Sequence, residues 1–442
     1  MHFTKRPAAA GLQPAVAVYQ LDVASLRTVR HTASGTRIMS RVAPTVWLLG
    51  VVSFLTDISS EMVASIMPAY LLITLQLSPA QFGMVDGLYQ GVSAVTRLLS
   101  GVAADRWRHH KLVATIGYGL SAATRIGFLA AGSAWVGLAS MVSLDRIGKG
   151  IRTAPRDAMI SLSARDTNLA ATFGVHRALD AAGVVVGPLA AFLILSTVPG
   201  RFVVIFIVSF LVAVLGVGVL VLLVQPPSDR SGERMGRASI MSAARLLFER
   251  RFALVAGVGL LLSVTLMSDA FLYVMLQRAG QFSPAVIPLF YTGTSTVFLL
   301  TAVPAGRAAD RIGKGRVFVV GHAAVLLVYL ALVTLPFGTP LLLACLVLHG
   351  LYYAATDGVL AALASQVLPA DQRASGLALI ATGTSLGKLA SSMIFGVIWS
   401  WHGPQGMVVV AAFATAVAMA WALTQLRRLD GHPPAVSRAG EA

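Results

Sequence analysis

The sequence predicts an all-α integral membrane protein: twelve transmembrane helices in two six-helix pseudo-repeat bundles. Three observations carry this. The 442 residues are 56% hydrophobic and only 12% charged, with a mean hydropathy of +0.78, too little polar surface for a water-soluble chain of this size. Apolar runs of about 20 residues recur, each able to cross ~30 Å of hydrocarbon as a helix. They are too long and too continuously apolar for barrel strands. The basic residues gather in alternate loops, as cytoplasmic loops require.

Taken in order, the spans fall near 44–73, 82–103, 112–131, 135–160, 171–196 and 202–224, then 252–277, 284–306, 316–336, 340–368, 374–399 and 405–426. This divides the chain into a tail at 1–43, a bundle at 44–224, a basic linker at 225–251, a second bundle at 252–426 and a tail at 427–442. The linker opens with Pro226-Pro227 and carries Arg230, Arg234, Arg237, Arg245, Arg250 and Arg251. One set of loops bears the first tail, Arg106, Arg108, Lys111, Arg165, the linker, Arg307, Arg311, Lys314, Arg316, Arg373, Arg427 and Arg428, while the other bears only Arg201 and Arg278. Both termini are therefore expected in the cytoplasm, in a bacterial cytoplasmic (inner) membrane. The first tail has no apolar core with a cleavage site after its first charges, so no signal peptide is expected.

The net charge of +16 is the loop asymmetry and not a nucleic-acid face. The single cysteine, Cys345, sits in an apolar run and can make neither an internal disulfide nor a cysteine metal cluster. Each Gly-Lys is followed by Gly, so there is no nucleotide-binding loop. No spacing of His, Cys and acids suggests a metal, and no catalytic constellation is present. Neither an enzyme nor a cofactor is expected; the partners are a small-molecule substrate, protons and the bilayer, and the chain is expected to act as a monomer.

The hexapeptide DRIGKG occurs at 145–150 and again at 310–315, yet it is not the internal repeat. Ser78-Pro79-Ala80 opens a span that ends in Gly101-Val-Ala-Ala-Asp105-Arg106, and Ser283-Pro284-Ala285 opens one that ends in Gly306-Arg-Ala-Ala-Asp310-Arg311, at a constant offset of 205 residues. Asp310 thus corresponds to Asp105. Two matched halves joined by a basic linker form a parallel repeat, which transporters arrange around a central pathway.

Three motifs resemble the major facilitator superfamily, in its twelve-helix drug:proton antiporter type, over about 44–426. The loop after the second helix, Gly-x-x-x-Asp-Arg with trailing basic residues, matches Gly101, Asp105, Arg106 and Lys111, with a twin at Gly306, Asp310, Arg311, Lys314 and Arg316. A fourth-helix arginine with a Gly-rich sequel matches Arg146, Gly150 and Ala154, with Lys149 and Arg152 where uncharged residues are usual. The fifth-helix antiporter motif matches Gly174, Gly183, Gly187 and Pro188, but closes on Ala191-Phe192. The resemblance implies two halves rocking about a midplane cavity lined by helices one, four, seven and ten, and efflux in exchange for protons. The loop motif has a physical reading as a cytoplasmic latch, an aspartate at a helix end accepting from a neighbouring helix N-terminus.

Intramembrane ionisable residues are the functional candidates, because a charge at the bilayer centre costs roughly 2.5–3.5 kcal/mol on insertion scales. Asp57 and Glu61, four apart on one helix face, are proton-coupling candidates, since two close carboxylates in a dry site do not both ionise cheaply. A structural ion pair with a base on the fourth helix is the competing account. Asp269 and Asp357 extend the coupling set to helices seven and ten. Asp145, Lys149, Arg152 and Arg156 step by four, three and four and share a face; Arg146 points about 100° away. Asp145, Arg146, Lys149, Arg152, Asp86, Arg125, Asp180 and Lys388 are the expected cavity residues, with Tyr89, Gln90, Tyr273, Tyr352 and Tyr353 as further lining candidates. Gly183 and Gly187 also read simply as close-packing positions. The expected function is proton-coupled efflux. The alternatives are proton-coupled import of a small anion, favoured by Lys149 and Arg152, and a non-transporting sensor or scaffold, which would have no use for so many buried charges.

Overall fold

The computed structural model describes residues 42–107, 109–164, 169–225, 245–369 and 372–430, without the side chains at 98–107, 169–171, 374 and 427–430. The helices are α1 (Pro44–Pro68, continued by a π-helical turn, Ala69–Thr74), α2 (Pro79–Trp107), α3 (His110–Ala131), α4 (Trp135–Ser163), α5 (Leu169–Thr197), α6 (Phe202–Leu222), α7 (Arg250–Thr265), α8 (Asp269–Ala279), α9 (Ile287–Ile312), α10 (Lys314–Thr334), α11 (Thr339–Val367) and α12 (Arg373–Asp430). No strand occurs among the described residues.

Nine of these segments are long and apolar enough to cross a membrane. The 58-residue α12 is two crossings joined at Gly403, whose φ of 72° is non-helical, followed by Pro404. Glycine meets no steric penalty there. The helices α2 and α4, each 29 residues, are long enough to cross but more polar. Adding them gives twelve crossings, with α7 and α8 forming one. Large apolar side chains such as Leu222, Leu300 and Phe413 stand 81%, 72% and 71% exposed on the outer surface, as a lipid-facing belt requires.

Helix α4 does not end at its charges. It runs unbroken from Trp135 to Ser163, and Asp145, Arg146, Arg152, Arg156 and Asp157 are all buried within the bundle. The seventh crossing, expected as one continuous span over 252–277, is broken at Leu266–Ser268 between α7 and α8. The freed backbone groups are taken up by neighbouring side chains: Thr415 donates to the Thr265 carbonyl at 3.2 Å, Ser391 to the Leu266 carbonyl, and the Met267 amide donates to the Tyr329 hydroxyl at 3.0 Å. Such a break inside a membrane is tolerated only where neighbours satisfy it.

In the first half α1 packs on α5 and α6, and α4 on α2 and α3; in the second α11 packs on α9 and α10, and α12 on α7 and α10. The halves meet mainly where α2 lies on α12 and α5 on α9. Three apolar cores result. One, at the end remote from residues 42 and 430, draws on both halves, from Met62 and Phe82 to Phe271, Phe395 and Trp399. At the terminal end each half has a core of its own, around Val46, Leu49 and Tyr118 in the first and Phe252, Phe318 and Leu363 in the second. Among the described residues, the buried apolar side chains join the halves at the far end, and each half keeps a cluster of its own at the terminal end.

The predicted linker and tails fall largely on 1–41, 226–244 and 431–442, outside the described residues. The last helix continues through Asp430, four residues past the expected end at 426.

Candidate functional site

A cavity of about 280 Å³ lies between the halves. The first half contributes Glu61 from α1 and Asp86, Tyr89 and Gln90 from α2; the second contributes Asp269 and Tyr273 from α8, His349, Tyr352 and Tyr353 from α11, and Lys388 from α12. The break in the seventh crossing sets Asp269 in the first turn of α8, after the N-cap residue Ser268. His349 Nε2 stands 3.0 Å from Asp269 Oδ1, and the Tyr353 hydroxyl donates to Asp269 Oδ2 at 2.6 Å. Lys388 Nζ lies 5.7 Å over the Tyr353 ring. Across the seam, Ser392 Oγ donates to Asp86 Oδ2 at 2.5 Å. No basic side chain among the described residues lies within ion-pair distance of Glu61.

The charges of α4 sit behind the cavity wall instead of on it. Asp145, 3% exposed, is held by Arg125 at 2.9 Å and by Arg146. Arg125, 1% exposed, also donates to Ser59 and Ser60 on α1. The Arg146 guanidinium stacks 4.0 Å over the Tyr89 ring, so it backs a cavity residue without lining the cavity. Arg152 lies 3.9 Å from Asp57 and 4.7 Å over the Tyr118 ring. Nearer the terminal end, Arg156 binds Asp157 at 2.9 Å, donates to Ser53 at 3.0 Å and reaches Asp180 at 3.7 Å; Arg177 is 3.8 Å from Asp180, and His176 shares Ser53 at 3.1 Å. Charges this deep persist only in pairs. The network ties α1, α3, α4 and α5 into one body.

Twelve crossings in two halves, with acids from both turned into one central cavity, are the architecture of a membrane carrier. Residues 49–281 and 260–441 match the profile of the Major Facilitator Superfamily. The chain belongs to that superfamily. It is 30% identical over 360 residues to an uncharacterized MFS-type transporter of Methanocaldococcus jannaschii, covering 80% of this chain and 88% of that one. It is 25% identical over 406 residues to an uncharacterized protein of Mycobacterium tuberculosis, covering 88% and 98%. The fold matches the nucleoside transporter NupG (D323A mutant) with a TM-score of 0.74 at 16% identity, covering 86% of this chain and 99% of that one. It also matches a bacterial homolog of the human lysosomal transporter Spinster, in its inward-facing and unoccupied conformation, with a TM-score of 0.68 at 15% identity over 91% and 100%. The protein is an MFS-type transporter and not an enzyme.

Within this superfamily fold, the residues named from sequence separate into groups. Glu61, Asp86, Asp269 and Lys388 line the cavity, as do Tyr89, Gln90, Tyr273, Tyr352 and Tyr353. Asp57 faces Arg152, one turn from Glu61, so the two acids address different surroundings. Asp145, Arg146, Arg152, Arg125 and Asp180 belong to the pairs behind the wall. Lys149 is half-buried on α4 and not among the cavity residues. Asp357 borders a separate pocket of about 60 Å³ with Asp310 and Lys314, between α9 and α11. Of the latch residues, Gly101 and the side chains of Asp105 and Arg106 lie in the stretch whose surroundings are not described. In the twin, Gly306 borders that same pocket, Asp310 sits 3.6 Å from Lys314 one turn on, and Arg311 is exposed. A Cβ at Gly183 or Gly187 would come within 2.8 Å of the α1 carbonyls of Phe54 or Ile58, whereas one at Gly174 would meet nothing. The first two glycines, followed by Pro188 inside the helix, let α5 press on α1. Sequence reasoning missed His349, Tyr291, Tyr329 and Ser392. A histidine inside an apolar span demands a polar partner, and that was the available signal for His349.

Proposed function

We propose that this transporter exports a small solute from the cytoplasm in exchange for protons, by rocking its two six-helix halves about the central cavity, with both termini in the cytoplasm. The observation that carries the reading is that carboxylates of both halves, Glu61 and Asp86 from one and Asp269 from the other, face one cavity. A group that is deprotonated to receive solute and protonated to release it supports exchange, and acids on both halves allow each to contribute to the switch. The far-end core shared by both halves, with separate cores at the terminal end, fits a cavity approached from the terminal side, where an exporter loads. Carboxylates outnumber the cavity's Lys388, which favours a neutral or cationic solute. The second reading, proton-coupled import of an anion, rests on Lys388; Arg146 and Arg152 lend it little, because both are committed to buried partners.

The test is reconstitution into liposomes holding a pH-sensitive dye, with a panel of cationic, neutral and anionic solutes. Solute-driven proton release from acid-loaded vesicles is expected, and Glu61→Gln or Asp269→Asn should uncouple it. Proton uptake accompanying an anion would select the importer. Coupling that survives both substitutions would remove these acids from the mechanism.

A further inference from the structure

On the α2–α12 seam, Gly83, Gly87 and Gly91 step by four along one face of α2. A Cβ at Gly83 would collide with the Ser392 carbonyl, one at Gly87 would lie 2.8 Å from the Leu389 carbonyl, and one at Gly91 would strike the Leu389 side chain. Reciprocally, a Cβ at Gly396 would lie 2.5 Å from the Pro79 carbonyl. Farther out, the Ala80 amide donates to Ser400 Oγ at 3.1 Å, and Phe82 meets Phe271 edge to face with centroids 4.9 Å apart. This is the seal between the halves at the far end, made by backbone approach that only glycine allows. Asp86 stands beside this ladder. Its side chain lines the cavity and accepts the 2.5 Å bond from Ser392 of the opposite half.

We propose that Asp86 is a proton-binding site of the carrier, and that Ser392 reads its state. With Asp86 ionised, the charge-assisted bond holds α2 to α12 and the far end stays shut. A proton on Asp86 leaves a neutral bond of roughly half the strength, and the seam parts. This goes beyond the proton-exchange reading above and does not depend on the direction in which solute and proton move. The charged and titratable groups facing Asp86 around the cavity are Glu61 on α1, Asp269 on α8, His349 on α11 and Lys388 on α12. Repulsion between Asp86 and Asp269 acts in the opposite sense, since it would push the halves apart while Asp86 is ionised. Asp269 is turned onto His349 and Tyr353, whose donors spread its charge, so the direct bond to Ser392 governs. Lys388 lies one turn from Ser392 on α12.

The experiment uses the full chain in lipid nanodiscs, with Cys345→Ala as background and spin labels on exposed far-end positions, Thr74→Cys and His402→Cys. Inter-label distances are read without solute or gradient. Acidification should move the population to longer far-end separations. Ser392→Ala should hold it there at every pH, with the closed-to-open ratio lowered about tenfold, the worth of one hydrogen bond to a charged group. Asp86→Asn should shift it the same way by less and abolish the pH response. A pH response that persists in both Asp86→Asn and Ser392→Ala, or far-end distances that ignore pH in the parent, would overturn the proposal. If instead the switch appears but solutes drive no proton flux in liposomes, the exchange reading fails and the proton site stands.

Discussion

The same six residues, DRIGKG, build two unlike structures in this chain. At Asp145–Gly150 they form the buried middle of α4. At Asp310–Gly315 they end α9, turn at Gly313 with φ of 104°, and start α10. Asp145 is clasped by two arginines; Asp310 is exposed and 3.6 Å from a lysine of the next turn. The space around the glycines differs as well. A Cβ at Gly148 would sit 2.7 Å from the Gly117 carbonyl of α3 and one at Gly150 2.5 Å from Thr96 of α2, while one at Gly313 would meet nothing. Glycine permits both outcomes because it is helical in one copy and left-handed in the other without penalty. Context therefore selects the conformation: α2 and α3 press on the first copy from both sides, and the second copy emerges at a helix end where the chain must reverse.

That contrast can be broken in a graded way, with unfolding in detergent followed by tryptophan fluorescence. Asp145→Asn should cost most, about 3–5 kcal/mol, because it leaves Arg125 and Arg146 facing each other without a counter-charge. Gly148→Val should follow at about 1–3 kcal/mol from overpacking against α3. Gly313→Ala should cost about 1–2 kcal/mol through its left-handed backbone alone. Asp310→Asn should change stability by about 0–1 kcal/mol, as an exposed pair does. A reversed order, with the second copy more sensitive than the first, would mean that the hexapeptide and not its surroundings sets its role.

Much of the fold was legible because hydropathy writes span lengths directly into the sequence. The spans at 112–131 and 202–224 lie within two residues of α3 and α6. The break in the seventh crossing was not read, although Ser268-Asp269 carries a helix-start pattern; a run of apolar residues on either side concealed it. At the site, Glu61, Asp86, Asp269 and Lys388 were legible as charges inside spans. Which of the many charges would face the cavity was not. Helical periodicity placed Asp145, Lys149, Arg152 and Arg156 on one face but said nothing of what that face meets. Asp145 is answered by Arg125 on α3 and Arg152 by Asp57 on α1, and pairings between helices have no trace in the spacing along one of them.

The three apolar cores bear on how such a carrier could turn over. Under the proposed rocking, reversing access splits the far core between the halves and uncovers the inner faces of side chains such as Phe82, Phe271 and Trp399. That loss is offset only if the two terminal cores fuse as the far one divides. A molecule arranged this way trades one buried seam for its mirror counterpart, and the near-equality of the two seams, more than the strength of either, sets how readily it cycles.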